Sequence, residues 1–127
     1  MPYEHDESRW PIVISRSIGE SQDADIAAYI AAHEAAIRRG PHVVILDARH
    51  GVNMSGKHRK QAADWIREAG PRLTAARLGL AFVSDSAMVR GLLTATYWLT
   101  TPGYPHEVFK TMEDAEAWAH ELLAGHG

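Results

Sequence analysis

Residues 42–70 read HVVILDARHGVNMSGKHRKQAADWIREAG: an apolar run, a polar loop and an amphipathic segment in succession. The run Val43 to Leu46 is continuously aliphatic, which is typical of a strand covered on both faces inside a parallel sheet. From about Gly56 to Ala69 apolar residues recur at helical spacing, and Ser55 stands where a helix N-cap is expected. This stretch therefore predicts a central parallel strand, a loop at its carboxyl end and a helix, and the chemistry of the protein is expected in that loop.

The rest of the chain alternates between strand and helix patterns in the same way. Further strands are predicted from about Trp10 to Ser17 with an edge segment before it, from Leu78 to Ser84, and at Val108–Phe109. Further helices are predicted from about Ala24 to Arg39 with Asp23 as N-cap and a stop at Gly40-Pro41, after Asp85 or Ser86, and from Thr111 onward. This order predicts an α/β fold with a mostly parallel sheet of four or five strands and about four helices. Nothing in the sequence divides it, so we expect a single domain over residues 1–127.

Two of these helices carry specific predictions of burial. The helix from Gly56 is expected to face inward with four residues, namely Ala62, Trp65, Ile66 and Ala69. The helix after Ser86 carries apolar residues on more than one face, namely Met88, Leu92, Leu93, Ala95, Thr96 and Leu99. We therefore expect that helix to be heavily packed.

Composition narrows the classes of function. The chain has 127 residues, of which 46% are hydrophobic and 23% charged, and it contains no cysteine. Disulfides and thiolate chemistry are therefore excluded. The formal net charge of −3 gives no general attraction to nucleic acid, and no apolar run approaches the roughly 20 residues that span a bilayer. We expect a cytoplasmic protein that needs no cofactor or metal.

The loop also admits a nucleotide-binding interpretation. Gly51 to Lys57 has the spacing GxxxxGK of a phosphate-binding loop, but His58 follows where that motif places the Ser or Thr that holds magnesium. We therefore rank a degenerate nucleotide-binding loop third. The basic first turn of the helix is unfavourable next to the positive end of the helix macrodipole. Either an anion or an acidic partner shares the site, or the basic side chains simply point into water, where screened charges cost little.

Three segments resemble the STAS superfamily, especially its SpoIIAA-like (STAS/SEC14 domain-containing) branch. They are residues 13–20 (VISRSIGE), residues 44–47 (VILD) followed by Val52 and Met54, and the closing half with FVSD at 82–85, RGL at 90–92, PHEVFK at 105–110 and AEAW at 115–118. The resemblance implies a bacterial, non-enzymatic regulator that binds a protein such as a kinase-type anti-sigma factor. It also implies a phosphoacceptor serine at the helix start, for which Ser55 is the candidate, although no acidic residue precedes it here.

The remaining candidates form two groups. A partner- or anion-binding loop is expected from Asp47, His50, Asn53, Gly56, Lys57 and Arg59, and Asp47 is equally placed to order the turn that follows it. An apolar pocket or a homodimer interface is expected from Tyr97, Trp98, Tyr104 and Phe109. The second group supports the alternative function, a carrier or sensor of a small-molecule or lipid-like ligand.

Overall fold

Strands and helices alternate along the described part of the chain, which comprises residues 3–17, 22–49, 55–99 and 103–126 of the computed structural model. The strands are β1 (Tyr3–Arg9), β2 (Ile12–Ser17), β3 (His42–Asp47), β4 (Arg77–Val83) and β5 (His106–Phe109). The helices are α1 (Asp23–Arg39), α2 (Gly56–Ala76), α3 (Ala87–Leu99) and α4 (Met112–His126). The predicted α/β class is confirmed.

The strands form one sheet in the order β1-β2-β3-β4-β5. The pairs β2–β3, β3–β4 and β4–β5 are parallel, whereas β1 pairs with β2 antiparallel and is the edge segment expected before Trp10. Val44 at the centre of β3 is paired with Val13 on one side and Leu80 on the other. The aliphatic run therefore lies in the middle of the sheet, as its composition predicted.

The two faces of the sheet are covered by different helices. Ile12, Ile14, Val43, Ile45, Ala81 and Val83 share one core with Ala115 and Ala119 of α4. Val13, Val44 and Leu80 face the other way and pack with Ala36 of α1. Successive strand residues point to opposite faces, so the continuous aliphatic run fills both cores.

The first helix begins one residue earlier than predicted. Gln22, and not Asp23, is the N-cap, and its backbone N–H donates to the Asp25 carboxylate at 2.7 Å. Asp23 lies inside the first turn, so its carboxylate is available to another element. The helix ends as predicted, because Gly40 has a φ of +131° that a residue with a side chain rarely adopts.

The second helix is longer than predicted, since it continues through Pro71 to Ala76. Trp65, Ala69, Leu73 and Ala76 form one buried stripe along it, and this packing outweighs the backbone hydrogen bond that Pro71 cannot donate. Ile66 lies beside that stripe and is 41% exposed, so its predicted inward orientation is wrong.

Over residues 87–95, whose side chains the structure describes, the third helix is not heavily packed, contrary to the sequence prediction; the side chains of Thr96 and Leu99 lie outside that range. Ser86 caps it by accepting a hydrogen bond from the Val89 N–H at 3.3 Å, and the helix packs against the short edge strand β5. Met88 is 76% exposed and Leu92 64% exposed. The helix therefore turns apolar side chains toward solvent rather than toward the sheet.

Candidate functional site

The candidate phosphoacceptor Ser55 caps α2 and is exposed. Its Oγ accepts a hydrogen bond from the His58 N–H at 3.2 Å, as expected of an N-cap serine. Gly56, Lys57 and Arg59 are exposed beside it, whereas His58 is buried. The hydroxyl thus lies at the positive end of the helix dipole with two basic side chains nearby.

The basic first turn of α2 has an acidic partner that the sequence analysis missed. Nε2 of His58 lies 2.8 Å from Oδ1 of Asp23, and Nζ of Lys57 lies 3.3 Å from the same oxygen. Hydrogen bonds from His58 and then from Lys57 lower the pKa of the Asp23 carboxyl. Asp23 belongs to α1, so its carboxylate joins the starts of two neighbouring helices.

Asp47 orders the turn after β3. Its side chain is fully buried and accepts hydrogen bonds from Arg16 Nε at 2.8 Å and from Arg49 Nε and Nη2, each at 2.9 Å. It also accepts the Arg49 backbone N–H at 3.1 Å, which closes the turn. Burial raises the pKa of Asp47, but the hydrogen bonds from Arg49 and Arg16 outweigh burial and hold it well below its usual range. Its oxygens are therefore engaged by the protein itself.

The other predicted loop residues divide into two groups. His50 and Asn53 lie outside the described residues, as does most of the GxxxxGK string. In the described part of that string, the Lys57 ammonium is paired with Asp23. The next residue, His58, is buried and bonded to the same carboxylate. These contacts give the nucleotide-binding interpretation no support.

The start of α3 lies at the same edge of the sheet as Ser55. β3 and β4 are parallel neighbours, so the helices that follow them begin at the same edge. Asp85, just after β4, is close enough to Arg49, just after β3, to raise the Arg49 pKa through its charge, in addition to the larger effect of Asp47. Four exposed residues recur at helical spacing on α3 and form what we call the α3 stripe: Met88, Gly91, Leu92 and Ala95.

The predicted aromatic group does not form one pocket from its described members. Tyr104 packs with Val13, Val44 and Leu80 on the face covered by α1 and α2. Phe109 packs with the core on the α4 face, where its ring lies 5.6 Å from that of Trp118. The side chains of Tyr97 and Trp98 lie outside what the structure describes. Tyr104 and Phe109 therefore serve separate cores.

None of the helices that the structure describes is long and apolar enough to cross a membrane. No group of three or more His, Asp or Glu side chains within residues 3–17, 22–49, 55–99 and 103–126 is arranged to hold a metal ion.

Comparison with known proteins identifies the fold. No family profile matches the sequence, and no curated protein matches it significantly. Among solved structures, an uncharacterised protein of the DUF3478 family with a SpoIIAA-like fold, from Shewanella loihica PV-4, has a TM-score of 0.72 at 14% identity, covering 92% of this chain and 91% of that chain. The anti-sigma factor antagonist SpoIIAA in its unphosphorylated form has a TM-score of 0.62 at 18% identity, covering 94% and 96%. The protein has a SpoIIAA-like fold, as the sequence resemblance implied.

Proposed function

We propose that this protein is a regulatory, non-enzymatic domain that binds another protein through the edge formed by the start of α2 and the α3 stripe. The observation that carries the proposal is the exposure of the stripe, because an apolar row at helical spacing on a surface is typical of a helix that docks into a partner's groove. Lys57 and Arg59 are exposed at the same edge. The partner is therefore expected to present an apolar groove bordered by carboxylates.

Phosphorylation of Ser55 is the proposed switch. A phosphoryl group adds a charge of about −1.5 to −2, which the helix N-terminus and the adjacent Lys57 and Arg59 stabilise. The same charge reverses the sign of this edge and repels a partner bordered by carboxylates. It also competes with Asp23 for Lys57 and His58, and so disturbs the contact between α1 and α2.

The fold suggests the class of partner. One structural neighbour is an anti-sigma factor antagonist described in an unphosphorylated form. A kinase-type anti-sigma factor, or another signalling protein with a kinase-like surface, is therefore the partner that we propose for this chain. A second copy of the chain is the competing occupant of the stripe.

The test is affinity capture of proteins from a lysate of the native host, with baits that differ at single positions. The captured proteins are measured by quantitative mass spectrometry. The wild type and Ser55→Ala are expected to retain the same partner, whereas Ser55→Asp and Met88→Asp lose it. Glu121→Gln, on an exposed position of α4, is the matched control and keeps the partner. If Met88→Asp retains every protein that the wild type retains, the stripe is not the docking surface. A partner that stays bound to Ser55→Asp argues against the switch, and self-association seen by sedimentation would assign the stripe to a homodimer.

A further inference from the structure

A cavity of about 130 Å³ lies between the sheet and helices α1 and α2. Its lining includes Leu46 and Asp47 at the carboxyl end of β3, and the carboxyl ends of strands are where open parallel sheets bind ligands. Its apolar wall is formed by Ile26 of α1, Leu46 of β3, Phe82 of β4 and Ala62 of α2. Its polar end is formed by Tyr3 and Ser15.

The size of the cavity limits what it holds. An engineered protein cavity of about 150 Å³ binds benzene, so this one takes a molecule of about six to eight non-hydrogen atoms. A single aromatic ring therefore fits within this volume, whereas a long acyl chain would extend beyond it.

The charges at the cavity argue for a neutral ligand. The two carboxylates in its lining, Asp25 and Asp47, are already engaged by hydrogen bonds from the protein. Asp25 accepts the Gln22 backbone N–H at 2.7 Å, and Asp47 accepts from Arg16 and Arg49. Asp47 is neutralised by two guanidinium groups, Asp25 already accepts a backbone N–H, and burying an unpaired charge in the apolar part of the cavity is costly.

A series of hydrogen bonds determines which groups at the polar end of the cavity donate and which accept. Arginine can only donate, so Nδ1 of His33 accepts from Arg77 Nη2 at 3.3 Å, and the ring hydrogen is on Nε2. Nε2 then donates to Ser15 Oγ at 2.9 Å. Burial, reinforced by the charge of Arg77, holds the pKa of His33 well below its usual value, so the ring stays neutral and this direction is maintained.

Ser15 therefore accepts from His33 and keeps its own hydroxyl hydrogen for donation. Its neighbours on the other side are Tyr3 Oη at 3.1 Å, His5 Nδ1 at 3.4 Å and the cavity. Nε2 of His5 donates to the Glu7 carboxylate, so Nδ1 of His5 is an acceptor. When Tyr3 donates to Ser15 Oγ, the serine accepts two hydrogen bonds, and an oxygen inside the cavity can accept its hydroxyl hydrogen in place of His5 Nδ1.

We propose that this cavity binds a neutral, single-ring aromatic molecule that carries one oxygen acceptor, of the phenol class. The ring lies against Ile26, Leu46 and Phe82, and the oxygen accepts the hydrogen bond of Ser15. The lining residues named for the cavity include neither Ser55 nor a residue of the α3 stripe.

The test is a titration of the full chain with phenol and with toluene, two ligands of nearly equal size. Binding is monitored through the amide chemical shifts of the protein. Wild type is expected to bind phenol about two- to tenfold more tightly than toluene, because the phenol oxygen adds one net hydrogen bond, whereas toluene leaves the Ser15 hydrogen with Tyr3 or His5. Ser15→Ala abolishes this preference and leaves toluene binding within about twofold. Ala62→Leu, which fills the cavity, weakens both ligands by more than about tenfold. Gln61→Leu, on the exposed neighbouring position, changes neither.

Three results would overturn the proposal. The first is the absence of saturable binding of either ligand up to its solubility. The second is a phenol preference that Ser15→Ala leaves intact. The third is binding that Ala62→Leu leaves unaffected, which would place the ligand elsewhere. If Ser15→Ala does not fold, the phenol-to-toluene ratio of the wild type and the loss in Ala62→Leu decide the question without it.

Discussion

Asp23 and His58 join the starts of α1 and α2, since Oδ1 of Asp23 lies 2.8 Å from Nε2 of His58. Lys57 adds an ion pair to the same carboxylate. An anion is stabilising at a helix N-terminus, so Asp23 compensates for a first turn of α2 that contains basic residues and no acidic one. Because of this pairing, we expect any charge added at Ser55 to affect both helices.

Replacing Asp23 by Asn is expected to loosen the start of α2. The Arg59 N–H, which donates to the Ser55 carbonyl at 2.9 Å, should exchange with solvent roughly two- to fivefold faster, because the helix end loses its anion. Amide hydrogen exchange measures this directly. Asp64→Asn, which removes the exposed partner of Lys60 further along the same helix, serves as the control and leaves Arg59 unchanged. Equal protection in both variants would show that Asp23 does not hold this end.

The effect of a charge at Ser55 should depend on Asp23. In the wild type, Asp23 already supplies an anion to this end of α2, so Ser55→Asp is expected to change Tm by less than about 1 °C. In the Asp23→Asn background the same substitution supplies the missing anion, and Tm should rise by roughly 1 to 4 °C. Ser55→Asn keeps the capping oxygen without the charge and is the matched control. A change in Tm that is equal in the two backgrounds would contradict coupling between the residues.

Asp47 should contribute more to stability than an exposed carboxylate. Asp47→Asn is expected to lower the free energy of unfolding by about 1 to 3 kcal/mol at neutral pH, because charged hydrogen bonds to Arg16 and Arg49 are lost. The folded-state pKa of Asp47 is depressed, so this contribution is complete above about pH 4 and disappears as the pH falls further. Urea unfolding near pH 7 and near pH 3 tests both statements. If the difference in the free energy of unfolding between wild type and Asp47→Asn does not shrink at low pH, the ion pairs of Asp47 are not its cause.

The sheet could be predicted because burial of a strand on both faces determines which amino acids it contains. A strand buried on both faces must be aliphatic throughout, and Val43 to Leu46 is. The end of α1 was equally predictable, since Gly40 adopts a backbone conformation that favours glycine. The N-cap role of Ser55 follows from the same kind of local rule.

The remaining features depend on contacts that local sequence does not encode. Helical spacing shows that Met88 and Leu92 share a face of α3, but it does not show that this face points away from the core. The carboxylate of Asp23 and the imidazole of His58 are 35 residues apart in sequence, and either fits a local capping or solvent-exposed role equally well. Pro71 breaks most helices, and only the burial of Leu73 beyond it explains why α2 continues.

The exposed stripe should be dispensable for folding. Met88→Ser is expected to change the free energy of unfolding by less than about 0.5 kcal/mol, as for most exposed positions. Leu73→Ala, in the buried stripe of α2, should cost about 2 to 5 kcal/mol. Urea denaturation of the two variants beside the wild type makes the comparison. A large loss in Met88→Ser would place α3 in the core after all and would remove the basis for partner binding.

The buried His33 should make stability depend on pH in one direction. Burial, together with the charge of Arg77, lowers its pKa in the folded state, whereas in the unfolded chain it titrates near pH 6.5. Below that pH the unfolded state binds a proton that the folded state does not bind. The free energy of unfolding therefore falls with decreasing pH, by about 1.4 kcal/mol per pH unit for this one proton. Above about pH 6.5 the contribution is complete.

His33→Gln isolates this proton from the others. An amide oxygen can accept from Arg77 and the amide nitrogen can donate to Ser15, so the hydrogen-bond chain persists while the titration is lost. His42 is also buried with a lowered pKa, so some pH dependence remains in the variant. Urea unfolding between about pH 5 and pH 8 should give a curve for the variant that is shallower than the wild-type curve by about one proton. If the two curves of unfolding free energy against pH run parallel, His33 takes up its proton without unfolding of the protein. A neutral imidazole would then not fix the donor and acceptor directions in the hydrogen bonds from Arg77 through His33 to Ser15.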